Sequence, residues 1–271
     1  MSTTQPTIIS MGRIDGLDVS SVQYANNGGK IDYAAVKRAG YDFVYIQSSR
    51  YSSTLDYPFE IMAKGFKAAG VLVGPYHFCY QGSDPVKQMQ FYYEACEGWG
   101  SREGELPPMI DWEFCHDIPS KDCVQWLVTA AAEAERLWYP RNADLILAGR
   151  KPRKPVIYSF PDFANNRHGE ALAEALELGQ YPLCWAAYKS TTVPWKPAAD
   201  QEPESLGNIY RMPPPWKENR WTFWQYSFKG PAIPGLAGDV DRELFRGSTG
   251  DLEELAGIYR THTPLEYTLK D

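Results

Sequence analysis

The chain has 271 residues, of which 44% are hydrophobic and 14% aromatic, so its composition suits a packed core and excludes a disordered protein. The formal net charge of −7 argues against binding nucleic acid or an anionic membrane through bulk electrostatics. No segment approaches the roughly 18 apolar residues that a membrane span requires, and the N-terminal residues lack the basic and apolar regions of a secretory signal.

Along the chain, short apolar strands are predicted to alternate with longer amphipathic helices. The predicted strands are residues 14–19, 43–48, 71–78, 109–113, 155–159, 183–188, 222–226 and 239–241. Helices are predicted at 33–39, 59–69, 86–98, 121–138 and 161–176, with Gly40 and Gly70 as C-terminal caps. Strands separated by single helices indicate parallel βαβ units. Five such units followed by three strands would close a barrel-like sheet in the α/β class.

The remaining segments favour a single domain. The proline-rich residues 193–216 are interpreted as an excursion from the rim of the barrel, and 251–259 as a terminal helix. The predicted organisation is an N-terminal tail at 1–13, a catalytic barrel at 14–260 and a C-terminal tail at 261–271.

The cysteines and histidines show no spacing typical of a metal site. Five scattered cysteines without a CxxC pair predict reduced thiols rather than a disulfide framework or a zinc site, and four histidines lack an HxxxH pair. These residues are Cys79, Cys96, Cys115, Cys123 and Cys184, and His77, His116, His168 and His262. No metal and no cofactor are expected.

Acidic residues fall at the ends of three predicted strands. In "PPMIDWEF", Asp111 and Glu113 are two residues apart and therefore share one face of a strand. Asp18 ends the first strand, and Asp239 and Asp241 belong to the last one. Because the active site of a β/α barrel lies at the C-terminal ends of its strands, and the first and last strands are neighbours after closure, these acids are predicted to converge.

Aromatic and amide side chains are predicted at the same rim. The expected substrate-binding residues are Tyr76, Tyr158, Trp185, Tyr188, Gln225 and Tyr226. Aromatic rings stack on the C–H faces of sugars, which points to a carbohydrate ligand. Core packing is the alternative for about half of these rings.

Paired carboxylates suit the cleavage of a glycosidic bond. One protonated carboxyl group donates to the leaving oxygen while another group stabilises or attacks the anomeric carbon. Two acids held close together also raise one pKa, which keeps that acid protonated near neutral pH.

The ordered motifs of the chain resemble glycoside hydrolase family 25, the muramidase-type lysozymes. Eight blocks carry the resemblance, from about Gly16 to Gly247: GLDVSSVQ, IDYAAVKRAGYDFVYIQSS, KGFKAAGVLVGPYHF, PPMIDWEF, PVIYSFPDF, YPLCWAAY, FWQYS and PGLAGDVDRELF. The resemblance implies a flattened (β/α)5(β)3 TIM-like barrel. It also implies hydrolysis of the β-1,4 bond from N-acetylmuramic acid to N-acetylglucosamine in peptidoglycan.

Catalytic roles follow from the resemblance residue by residue. Glu113 would be the general acid, and Asp111 would stabilise the transition state or position the acetamido group of the substrate. Asp18 would line the floor of the site, and Asp241 would be the last active-site acid, with Asp239 as its competitor. Attack by the substrate's own acetamide is preferred over direct attack by water, because no carboxylate is clearly placed as a covalent nucleophile.

The sequence is compatible with several biological settings and functions. A phage endolysin, held in the host cytoplasm until a holin opens the membrane, is the preferred setting; a virion-associated lysin and an injected effector are the alternatives. The expected partner is the peptidoglycan glycan strand, with no nucleic acid and no membrane insertion. A catalytically silent carbohydrate-binding barrel and a chitinase-like hydrolase are the competing functions, although Glu113 is present and the DxxDxDxE array of chitinases is not.

Overall fold

In a computed structural model that describes residues 12–115, 118–218 and 220–259, nine strands form one sheet. In chain order they are β1 (Arg13–Val19), β2 (Phe43–Arg50), β3 (Thr54–Leu55), β4 (Leu72–Phe78), β5 (Met109–Asp111), β6 (Val156–Ser159), β7 (Leu183–Ala186), β8 (Phe223–Ser227) and β9 (Asp241–Arg246). The predicted tails fall largely outside the described residues, and the domain boundaries stay a prediction.

Strand β1 closes the sheet into a barrel. It pairs in parallel with β2 and antiparallel with β9, so that eight strands form a ring in the order β1-β9-β8-β7-β6-β5-β4-β2. The other neighbours in the ring are parallel, except that β8 and β9 are antiparallel. The short β3 is attached antiparallel to β2 outside the ring. The predicted α/β barrel with eight strands is confirmed, and β3 is an addition that the sequence pattern did not predict.

Helices follow the early strands. The described residues form α1 (Ser21–Asn26), α2 (Tyr33–Arg38), α3 (Phe59–Ala68), α4 (Pro85–Ala95), α5 (Ser120–Trp138), α6 (Asn142–Leu147), α7 (Gly169–Ala173) and α8 (Thr249–Leu255). Asp32 and Asp84 cap the N-termini of α2 and α4 through backbone N–H groups. Gly40 and Gly70 follow α2 and α3 at φ values of 96° and 77°, a conformation that glycine adopts without strain.

The core has two parts, one on each face of the barrel. The larger part lies between the strands and the helices and includes Val44, Phe66 and Leu127. The smaller part fills the barrel interior with alternate strand residues such as Phe43 and Phe223, and Leu252 of α8 packs against it. Alternation along each strand therefore decides whether a side chain faces the helices or the interior.

Two predicted elements differ from the structure. Strand β9 continues to Arg246 rather than ending at Asp241, because pairing with β1 and β8 on both sides supports a charged segment that lacks simple apolar alternation. The helix predicted at 161–176 is divided into a π-helical turn at Asp162–Arg167, α7 and a short 3-10 turn. At the π-helical turn, the Asn165 side chain donates to the carbonyl of Arg211 over 2.8 Å, a tertiary contact outside the helical ladder.

The proline-rich segment packs against the barrel as expected for a rim excursion. Trp195 lies edge-on to Trp224 with ring centroids 5.8 Å apart, and Met212 and Trp216 are buried. Among the described helices, none is long and apolar enough to cross a membrane.

Gly16 on β1 provides a test of how tightly the barrel interior is packed. A Cβ atom at this position would overlap the ring of Phe43, which itself packs against Phe223 at 5.2 Å. We expect Gly16→Ala to lower the free energy of unfolding by about 1–3 kcal/mol in urea denaturation. Gly169→Ala, where the nearest atom is 3.8 Å away, is the matched control and should be near neutral or stabilising. Equal stability of the two variants would contradict this account of the packing.

Candidate active site

A cleft opens at the C-terminal ends of the parallel strands. It is lined by Asp18, Gln47, Tyr76, Phe78, Met109, Asp111, Glu113, Tyr158, Tyr188, Gln225, Asp241 and Glu243. Five of these residues are acids, and none of the described residues that line the cleft carries a positive charge. All four predicted catalytic acids are therefore brought together.

The strand register explains this convergence. Asp18 on β1 lies directly opposite Asp241 on β9. Asp111, the last residue of β5, is in register with Phe78 on β4 and Tyr158 on β6. Glu113 lies two residues beyond the end of β5, outside the strand predicted at 109–113, and lines the cleft together with Asp111.

Gln225 connects the tyrosines to the floor of the cleft. Its Nε2 donates to Asp18 Oδ2 over 2.6 Å, and its Oε1 accepts hydrogen bonds from the hydroxyl groups of Tyr158, over 3.0 Å, and of Tyr188. The amide thus holds three side chains from segments that are far apart in the sequence. We infer that Gln225 orients the cleft wall in addition to its predicted contact with substrate.

Glu113 forms a hydrogen bond with Tyr158. The Tyr158 hydroxyl also donates to Gln225 Oε1 over 3.0 Å. Its hydrogen bond with Glu113 lowers the pKa of that carboxyl group, but burial and the nearby Asp241 carboxylate outweigh this effect and favour the protonated form.

Burial and like charge raise the pKa values of the acids in this cleft. Burial, reinforced by the Asp241 carboxylate, raises the pKa of Glu113 to about 7. Burial together with Asp239 raises the pKa of Asp241 to about 6. Burial is also the main cause that raises the pKa of Asp111 well above its usual range, and Glu113 adds to it. The arrangement can therefore store a proton on a carboxyl group at neutral pH.

Glu243 is a cleft acid that the sequence analysis missed. Its carboxyl group is fully buried, accepts from Cys184 Sγ at 3.5 Å and makes a hydrogen bond with Asp18. Two carboxyl groups can bond in this way only if one of them is protonated, and burial raises the pKa of Glu243 to about 8. The signal was a second D-x-E pair, Asp241 and Glu243, but the predicted strand ended before its second acid.

Two of the predicted substrate-binding residues lie away from the cleft. Trp185 is buried on the helix-facing side of β7, where its Nε1 donates to the carbonyl of Tyr210 over 3.1 Å. Tyr226 is buried on the same side of β8, against Trp195. The expected substrate contacts of Trp185 and Tyr226 are corrected on this geometry, because strand alternation turns both rings toward the helices.

The exposure of their side chains distinguishes Asp239 from Asp241, the two candidates for the last active-site acid. Asp239 is exposed and forms an ion pair with Lys229 outside the cleft, whereas Asp241 lines it. Tyr76, Tyr158, Tyr188 and Gln225 are at the cleft as expected. Their contacts with substrate, and the catalytic roles of the acids, stay predictions.

Comparison with known proteins adds independent information to this geometry. The family model of glycosyl hydrolases family 25 matches residues 17–236. The chain belongs to this family. It is a glycoside hydrolase of the lysozyme class, and the family match includes Asp18, Asp111 and Glu113 but ends before Asp241.

Individual lysozymes of the family are similar over most of their length. Lysozyme M1 from Streptomyces globisporus is 27% identical over 250 residues, which cover 90% of this chain and 71% of that protein. The crystal structure of the lysozyme from Streptomyces coelicolor is 25% identical, with a TM-score of 0.67 and coverage of 91% of this chain and 98% of that one. The family 25 lysozyme from Aspergillus fumigatus is 26% identical, with a TM-score of 0.66 and coverage of 90% of this chain and 99% of that one.

The charge of Asp241 should control the pH at which Glu113 loses its proton. Since Glu113 must be protonated to act as an acid, we expect kcat/KM to fall as pH rises through about 7. Asp241→Asn removes the neighbouring negative charge and should shift this decline in kcat/KM to lower pH. Asp144→Asn is the matched control, because Asp144 is exposed on α6 and does not line the cleft, and it should leave this decline in place. If kcat/KM of Asp241→Asn declined at the same pH as that of the wild type, the influence of Asp241 on the pKa of Glu113 would be contradicted.

Glu243 should make the folded protein less stable at alkaline pH. Its folded-state pKa of about 8 lies above the ordinary 4.5. The neutral carboxyl group therefore contributes fully to stability below pH 4.5, and this contribution is lost as the pH rises toward 8. We expect Glu243→Gln to flatten the decline in the free energy of unfolding between pH 5 and 8 by on the order of 1 kcal/mol or more. Urea denaturation at several pH values measures this, with the exposed Glu218→Gln as control; parallel curves for Glu243→Gln and wild type would refute it.

Proposed function

We propose that this lysozyme hydrolyses the β-1,4 bond from N-acetylmuramic acid to N-acetylglucosamine in bacterial peptidoglycan, with Glu113 as general acid. The observation that carries the proposal is the position of Glu113. Its carboxyl group lies in a cleft beside four other acids, where burial and the Asp241 carboxylate raise its pKa to about 7. Membership of family 25 supports the same chemistry.

The remaining acids suit the stabilisation of positive charge. Cleavage of a glycosidic bond develops positive charge at the anomeric carbon, and a cleft with several carboxyl groups and no cationic side chain among its described lining residues favours that charge. In our proposal the acetamido oxygen of the substrate attacks this carbon as Glu113 protonates the leaving oxygen. Asp111 accepts the acetamido N–H, and Glu113 then removes a proton from the water that opens the cyclic intermediate.

The tyrosines offer a surface for the sugar. Tyr76, Tyr158 and Tyr188 are partly exposed at the cleft, where rings can stack on sugar C–H faces. In our proposal Asp18, Gln225 and Glu243 support these groups from below and do not react.

A product analysis with Glu113→Gln tests this function. Purified peptidoglycan is digested, the products are reduced with borohydride, and mass spectrometry identifies the sugar at the new reducing end. We expect reduced N-acetylmuramic acid with the wild-type enzyme and a loss of rate of at least about 100-fold with Glu113→Gln.

The exposed Glu103→Gln is the control for this experiment and should retain full activity. Reduced N-acetylglucosamine would identify a glucosaminidase instead. No new reducing end would favour a carbohydrate-binding barrel, and more than a few per cent of the rate in Glu113→Gln would exclude Glu113 as the acid.

For the biological setting, we propose a phage endolysin that stays in the host cytoplasm until a holin releases it to the wall. The five cysteines, all of them within the described part of the chain, form no disulfide, in keeping with a reducing compartment. Expression in a host with and without a holin tests the setting, and lysis should require the holin. Enzyme found in purified virions, or delivered by a secretion machine, would overturn it in favour of a virion-associated lysin or an injected effector.

A further inference from the structure

Three side chains of the kind that bind transition metals meet outside the cleft. Cys115, Cys123 and His168 each offer one ligand atom, and these atoms lie within 4.8 Å of one another. Cys115 follows the end of β5, Cys123 lies in the first turn of α5, and His168 immediately precedes α7. A tetrahedral zinc ion separates its sulfur and nitrogen ligands by about 3.5–3.8 Å, so only small movements are needed.

A hydrogen bond with Ser120 orients the His168 ring through one of its two nitrogen atoms. Its Nδ1 lies 2.8 Å from Ser120 Oγ, and this hydroxyl donates to the carbonyl of Arg167 over 3.3 Å. In the tautomer in which the serine proton goes to the carbonyl, Nδ1 is protonated and Nε2 carries the lone pair. Metal-binding histidines are typically oriented by such a bond at their other nitrogen.

The indole of Trp112 supplies a second, independent observation. Its ring is fully buried and lies 5.3 Å from the His168 ring. Its Nε1–H makes no hydrogen bond of normal geometry within the described structure, yet it is directed at Cys123. A metal-bound thiolate is a better acceptor for this buried donor than a neutral thiol.

We propose that Cys115, Cys123 and the Nε2 atom of His168 bind a zinc ion. Thiolate and imidazole ligands favour zinc over magnesium or calcium, which prefer oxygen. Binding converts two thiols to thiolates and releases two protons to solvent. Cys115 is partly exposed, so a water molecule can occupy the fourth position.

The proposed ion has a structural role that is separate from the chemistry of the cleft. It connects the segment after β5, which carries Glu113 two residues before Cys115, to α5 and to the segment after β6. None of its three ligands lines the cleft, so catalysis without a metal is compatible with it. The sequence predicts no zinc site because it contains no CxxC or HxxxH pair, and Cys123 and His168 are 45 residues apart in the chain.

Metal analysis of the untagged wild-type protein tests the site directly. After expression with added zinc and extensive dialysis, we expect about one zinc per chain. Protein stripped of metal and loaded with Co²⁺ should show a thiolate-to-cobalt charge-transfer band. Less than about 0.1 zinc per chain together with no cobalt band would overturn the proposal.

Variants locate the site. Cys123→Ser should remove the zinc and the cobalt band, and Ser120→Ala should weaken zinc affinity by roughly 10-fold. Cys96→Ser is the matched control, since Cys96 is a buried thiol that donates only to the carbonyls of Tyr93 and Trp99 in the described structure, and it should retain the metal. A mass lower by 2 Da with three titratable thiols would show a Cys115–Cys123 disulfide and would also overturn the proposal.

Discussion

The closure of the barrel at β1 is the constraint on which the active site depends. Parallel pairing with β2 and antiparallel pairing with β9 fix the register that places Asp18 opposite Asp241. Without this closure the first and last acids would lie at opposite edges of an open sheet. The same register brings Glu243 beneath Asp18, and β5 then delivers Asp111 and Glu113 to the same end.

Repulsion between the clustered carboxylates destabilises the folded protein, and protonation of some of them relieves this repulsion. Five carboxyl groups line a cleft in which no described side chain provides a positive charge, and burial raises the pKa of each of them. A cationic side chain would stabilise the folded protein, but it would also oppose the positive charge that develops during glycosidic cleavage. The clustered acids of the cleft thus lower the stability of the folded protein near neutral pH, and they keep one acid protonated.

Strand alternation explains both the successes and the errors of the sequence analysis. Asp111 with Tyr158, and Gln225 with Asp18, were assigned correctly to one rim because their strands end there. Tyr226 shares β8 with Gln225, and Trp185 lies on the neighbouring β7, but both rings occupy the opposite phase of the alternation. Aromatic character alone could not distinguish the two phases, since both faces of these strands are buried.

The sequence by itself determined the alternation of strands and helices, the barrel class, the acids at the strand ends and the resemblance to family 25. These features are encoded locally, in hydrophobic periodicity and in ordered motifs. Only the tertiary structure decided which last acid enters the cleft, how far β9 extends, where protons reside and that Cys115, Cys123 and His168 meet. Each of these depends on register, burial or contacts between residues distant in the chain, and no local pattern carries that information.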